Sequence, residues 1–124
     1  MLNDALTTYL RTYRRRTGLS QDEVAFLLCV ACGCTGSKHD CTASGTLVSR
    51  HESGSQWPKL RTAFAYEIIL GIPLKELYAG YYETLQATIR LGAARLLEEM
   101  PDAPSDPRLK QKVEAIRRIM KETA

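Results

Sequence analysis

Gly18–Leu28 reads G-L-S-Q-D-E-V-A-F-L-L, and Ser44–Gly54 reads S-G-T-L-V-S-R-H-E-S-G. Each stretch carries its own start and stop signals. In the first, Gly18 closes the preceding segment and Ser20 opens a new one with Glu23 three positions on. That is the arrangement in which a hydroxyl and a carboxylate reciprocally satisfy two orphan backbone amides of a helix start. Val24, Leu27 and Leu28 supply an apolar stripe, and Ala25 is small enough for close helix packing. In the second stretch Ser44 can cap a helix running through Glu52, and the S-G-S of Ser53, Gly54 and Ser55 stops it. Between them, from Cys29 to Ala43, helical periodicity gives way to Gly33, Gly36, Ser37, Asp40 and Thr42, the composition of a loop.

Outward from this pair the chain continues as helices. Leu2, Leu6, Tyr9, Leu10 and Tyr13 follow three-and-four spacing and predict a first helix ended by Gly18. Pro58 suits the first turn of a fourth helix carrying Leu60, Phe64, Ile68 and Ile69, with Gly71 just past its end. Ile72 to Tyr78, I-P-L-K-E-L-Y, reads as a short fifth helix. Beyond Gly80, Leu85, Ile89, Ala93, Leu96, Leu97 and Met100 describe a longer amphipathic helix, interrupted by Pro101, Pro104 and Pro107. A last helix starts at Arg108, with Leu109, Val113, Ile116 and Met120 spaced by four, three and four. The expected fold is all-α: a five-helix domain over residues 1–80 with a Cys-rich insert at about 29–43, then a C-terminal helical hairpin over 81–124. That hairpin either packs on its own domain or joins two copies of the chain as a dimerisation element.

Composition narrows the function classes. A chain of 124 residues with 44% hydrophobic content suits one compact domain plus an appendage. The net charge of +3 is compatible with a polyanionic partner without identifying one. Its distribution says more, because Arg11, Arg14, Arg15 and Arg16 crowd the end of the first helix. No run approaches the roughly 18 apolar residues that span a bilayer, and the start M-L-N-D-A-L lacks a signal peptide's basic and apolar regions. The expectation is a cytoplasmic chain with no membrane partner. A phosphate-binding glycine loop, a paired-carboxylate arrangement and a nucleophile with a placed base are all missing, so no enzyme is expected.

Several segments resemble the lambda-repressor-like family of transcriptional regulators, also called the Cro or xenobiotic-response-element family. They are Gly18-Leu19-Ser20-Gln21, Glu23-Val24-Ala25, Leu27-Leu28, Val48-Ser49-Arg50-His51-Glu52 with Gly54, and Leu70-Gly71-Ile72-Pro73-Leu74 with Glu76-Leu77-Tyr78. The resemblance spans about Leu6 to Gly80 and, within the family, is similar to small bacterial regulators with an added C-terminal helical region. It implies a helix-turn-helix that binds double-stranded DNA, with the recognition helix at about 44–53 entering the major groove. Gln21 matches a phosphate-contacting position. Ser44 begins the recognition helix, and Gly45, Thr46, Ser49 and Arg50 match its base-facing positions. Arg50 can make a bidentate bond to guanine O6 and N7. Ser53, Ser55, Gln56 and Lys59 are candidates for phosphate contacts, with Arg61 beside them. Trp57 and His51 read as packing residues. Because Gly45, Thr46 and Leu47 supply only one hydroxyl, part of the specificity is expected from DNA shape or from the insert. A second functional reading is an antitoxin-like interaction module that clasps another protein with its C-terminal helices and binds its own operator.

The insert departs from the family, which usually has a glycine where Cys29 stands and only a short turn after it. Cys29, Cys32, Cys34 and Cys41 form C-x2-C-x-C-x6-C, with His39 nearby. Four sulfurs, or three with one nitrogen, can complete a tetrahedron around zinc or another thiophilic metal. Three readings stay open at this point: inert thiols, a metal site, and a redox switch acting on the recognition helix.

Overall fold

The computed structural model describes residues 7–31, 44–101 and 105–121. These form α1 (Leu10–Thr17), α2 (Gln21–Ala31), α3 (Gly45–Ser53), α4 (Leu60–Leu70), α5 (Leu74–Leu77), α6 (Ala79–Glu98) and α7 (Pro107–Lys121), with no strand among the described residues. The chain is therefore all-α, and it divides into two compact units, Met1–Tyr81 and Tyr82–Ala124.

Local chemistry sets most of the helix ends. The Ser20 and Glu23 pair forms as expected: the Ser20 amide donates to Glu23 Oε1 at 2.9 Å and the Glu23 amide to Ser20 Oγ at 3.1 Å. Ser44 Oγ accepts from the Leu47 amide at 3.1 Å and caps α3. Gly18, Gly54 and Gly71 end α1, α3 and α4 in the left-handed conformation, with φ of 84°, 80° and 69°. Glycine adopts that geometry without the steric cost a Cβ would incur.

Several boundaries and faces differ from the reading of periodicity. The first helix starts at Leu10, because Thr8 Oγ1 accepts from the Leu10 amide and the Tyr9 amide donates to the Leu77 carbonyl at 2.8 Å, drawing the preceding chain onto α5. Leu2 and Leu6 lie outside the described residues. α2 continues to Ala31, so Cys29 is helical rather than the first loop residue. α5 is confined to Leu74–Leu77, and Gly80 sits inside α6. On α4, Ala63, Ala65, Tyr66 and Leu70 are buried, while Leu60, Phe64 and Ile68 are exposed, Ile68 at 79%. On α2, likewise, Val24, Ala25 and Leu28 are buried, whereas Leu27 remains exposed.

The core of the first unit gathers Leu10, Val24, Leu28, Val48, Tyr66 and Leu77 from all five helices, with α2 packing most extensively on α3 and α4. Small residues on α4 allow that approach, since Ala63 and Ala65 leave room for neighbouring helices. Trp57 is half exposed and stands edge-on to Tyr81, with ring centroids 4.7 Å apart. In the second unit Ala93, Val113 and Ile116 are buried, and Arg90 Nε donates to the Ile119 carbonyl at 3.4 Å, linking α6 to α7. No described helix is long and apolar enough to cross a membrane.

Candidate nucleic-acid interface

α3 is two-faced at helical period. Val48, His51 and Glu52 are buried, whereas Thr46, Arg50 and Ser53 are exposed and Ser49 is half-buried. Thr46, Ser49, Arg50 and Ser53 follow one another by three, one and three residues, so they share one side of the helix. That side is polar and carries one permanent cation.

The buried side is anchored to α1, α2 and α4. Glu52 lies inside the domain, its side chain 1% exposed. It accepts from Arg14 through both Nε and Nη2, from Arg11 Nε at 3.2 Å and from Gln21 Nε2 at 3.0 Å. Burial alone would push the Glu52 carboxyl up, but the hydrogen bonds from Arg14, Gln21 and Arg11 outweigh it and hold the group below its ordinary value. The same hydrogen bonding raises the Arg14 guanidinium, whose Nη1 also donates to the Leu19 carbonyl at 2.9 Å. Next to it, His51 Nδ1 and the Tyr66 hydroxyl of α4 share a 2.7 Å hydrogen bond, with the rings edge-to-face. Burial lowers the His51 imidazole and raises the Tyr66 hydroxyl.

This network changes the meaning of several residues singled out from sequence. The basic group at the end of α1 splits: Arg14 turns inward to Glu52 and Arg11 reaches the same carboxylate from the surface, while Arg15 and Arg16 stay exposed, Arg16 lying over the Tyr13 ring at 5.1 Å. The Gln21 carboxamide turns onto Glu52, and the Asp22 and Glu23 side chains are the exposed charged groups at the α2 start. Ser44 uses its hydroxyl as the α3 cap. Gly45 packs so close to α2 that a Cβ there would press into the Asp22 carboxylate. Ser53 and Ser55 hydroxyls lie 3.1 and 3.3 Å from the Arg50 carbonyl, which also accepts from the Ser55 and Gln56 amides. They are thus part of the C-terminal cap of α3. Thr46, Arg50, Gln56, Lys59 and Arg61 are exposed, and among the described residues the Arg50 guanidinium is in no ion pair. His51 packs in the core as expected.

Sequence reasoning passed over Glu52 and Asp22. The available signal for Glu52 was its phase: it follows Val48 by four residues, on the apolar side of α3, with arginines upstream to meet it. Of the cysteine group, Cys29 is half-buried on α2. Cys32, Cys34, Cys41 and His39 lie outside the described residues. Among the described residues no cluster of three metal-ligating side chains occurs.

Two apolar surfaces complete the inventory. Ala31 at the end of α2, with Leu60, Phe64, Ala65 and Ile68 of α4, lines an open groove of about 410 Å³, edged by Arg61. Phe26 and Val30 are exposed on α2 as well. In the second unit Tyr82, Leu85, Ile89 and Leu96 are exposed on α6. The chain matches no known family, no curated protein and no solved structure.

Proposed function

We propose that the chain is a non-catalytic, sequence-specific regulator of transcription that binds double-stranded DNA, with α2 and α3 as a helix-turn-helix and α3 as the reading helix. The single observation behind this reading is the polarity of α3. A nine-residue helix presents Thr46 and Arg50 outward, with half-buried Ser49 between them and Ser53 engaged in the helix cap, and side-chain contacts to three other helices hold its opposite face. A helix that must enter a groove needs an outward face free to bond base edges and a position fixed against the scaffold. Arg50 is the residue best suited to a guanine edge. Gln56 and Lys59 follow α3 as candidates for phosphate.

A symmetric dimer fits the same reading, because two-fold dimers of such domains read paired half-sites. The exposed Tyr82, Leu85, Ile89 and Leu96, spaced by three, four and seven on α6, favour a second copy as the partner of the second unit. The alternative is an antitoxin-like module that grips another protein and binds its own operator. The exposed Leu85, Ile89 and Leu96 of α6 offer such a partner an apolar face on the C-terminal helices.

The deciding experiment titrates a fluorescent random-sequence duplex across a salt series, followed by selection of preferred sites from a random pool. Phosphate binding makes affinity fall steeply with salt. Affinity that does not fall from low to moderate salt would sink DNA binding, and a pure interaction module would remain.

A further inference from the structure

Charge in the second unit is segregated onto one helix. α7 carries Arg108, Lys110, Lys112, Arg117, Arg118 and Lys121 against Glu114 alone, whereas α6 from Tyr82 onward balances Glu83 and Glu98 against Arg90 and Arg95. At 3.6 residues per turn, Lys110, Arg117 and Lys121 fall within about 40° of arc, and the rise between the first and last is about 16 Å. Glu114 and Arg118 lie along the same edge, where Glu114, Arg117, Arg118 and Lys121 line a shallow depression. Lys110, Arg117 and Lys121 are exposed, and among the described residues none of the three is in an ion pair.

The apolar face of α7 is already occupied, since Val113 and Ile116 are buried. A helix that binds a lipid surface needs that face free to enter the headgroup boundary. What α7 leaves outward is a row of cations with Met120 as its one exposed large hydrophobic side chain, a surface suited to a polyanion that meets it with closely spaced charges. One DNA strand presents a phosphate about every 3.4 Å of axis, so about five fall within the span from Lys110 to Lys121.

We propose that the exposed basic face of α7 is a second DNA-backbone contact, separate from α3 and indifferent to sequence. The inference rests on the DNA-binding reading above. It assigns α7 the task of raising affinity for any duplex, while α3 supplies discrimination. Arg117, Lys121 and Lys110 are the residues that carry it.

The test is the salt slope of binding to a random-sequence duplex, measured for the full chain, for the Arg117→Gln/Lys121→Gln variant and for a charge-matched Lys75→Gln/Arg95→Gln variant. All four positions are exposed, and circular dichroism checks that helicity is retained. Each lost phosphate contact makes the slope of log K against log salt shallower by about 0.9, so the α7 variant is expected to lose about 1.8 and the control close to nothing. Equal slopes for the two variants, beside a steep parent slope, would overturn the α7 contact and leave the DNA-binding reading standing. A parent that shows no salt-dependent binding overturns both. Binding of the parent to phosphatidylserine vesicles that the α7 variant loses, with its DNA slope unchanged, would replace DNA by a membrane surface and also overturn the proposal.

Discussion

Arg14 of α1 and Glu52 of α3 form an ion pair inside the first unit, 38 residues apart in the chain, with the guanidinium side chain 12% exposed and the carboxylate side chain 1%. Removing one partner of a buried pair leaves the other charge uncompensated, at a cost of about 3 to 5 kcal/mol. Glu52→Ala is therefore expected to lower stability by about 3 kcal/mol or more, and Arg14→Ala by a similar amount. Arg11 is 46% exposed and adds only a peripheral contact, so Arg11→Ala should cost less than about 1 kcal/mol. Urea denaturation of the three variants checks the ranking; an Arg11 effect as large as that of Arg14 would contradict it.

Acid should lower the stability of the chain in two steps. His51 has a folded-state value below its ordinary 6.5, so the unfolded chain binds its proton first. The stability His51 contributes as a neutral ring is present above about pH 6.5 and declines as pH falls toward the folded value. Glu52 is likewise held below its ordinary 4.5, and its contribution is lost only at lower pH, as acid protonates the carboxylate. Urea midpoints measured from pH 8 to pH 3 should show both declines. In His51→Gln the upper decline should flatten and the lower one persist.

Gly45 and Asp22 mark where the start of α3 meets the start of α2. Gly45→Ala is expected to cost less than about 1 kcal/mol, because the atom its Cβ meets is the movable end of the exposed Asp22 side chain. In an Asp22→Ala background most of that cost should disappear, since the Asp22 backbone nitrogen stands 4.0 Å from the added Cβ. A double-mutant cycle by thermal melting measures the coupling, and additive effects would show that the contact is not the cause.

Arg50→Ala should leave folding within about 0.5 kcal/mol, because the side chain is exposed. If α3 reads DNA as proposed, specific binding should weaken by about 1 to 3 kcal/mol and preference at one base position should relax. Competition binding against randomised sites reads both effects. Unchanged preference would remove α3 from the reading role.

On α4, Ile68→Ala should change stability by less than about 0.5 kcal/mol, whereas Leu70→Ala, on the buried side of the same helix, should cost about 2 to 5 kcal/mol. The comparison checks by chemical denaturation which side of α4 faces the core.

What was legible in the chain was local. Ser20 with Glu23, the Ser44 cap and the glycines at 18, 54 and 71 each act within a few residues, and their geometry follows from composition alone. The buried side of α4 was not, because Leu60, Phe64 and Ile68 have the spacing of a core stripe just as Ala63, Tyr66 and Leu70 do. Periodicity cannot choose between two apolar faces of one helix; packing against α2 does. The Glu52 network was hidden for a different reason. Its donors stand 31 to 41 residues away, and charge alone does not tell an inward arginine such as Arg14 from an outward one such as Arg15.

The Glu52 and His51 contacts also bear on how much freedom evolution has at the connection before α3. The position of the helix is written in side chains that reach it from α1, α2 and α4. Added length at the joint between α2 and α3 costs little entropy, because the cost grows only with the logarithm of loop length. A chain organised this way can accept new sequence at that joint without re-aiming the helix, which makes the joint a natural place for acquiring a separate chemistry.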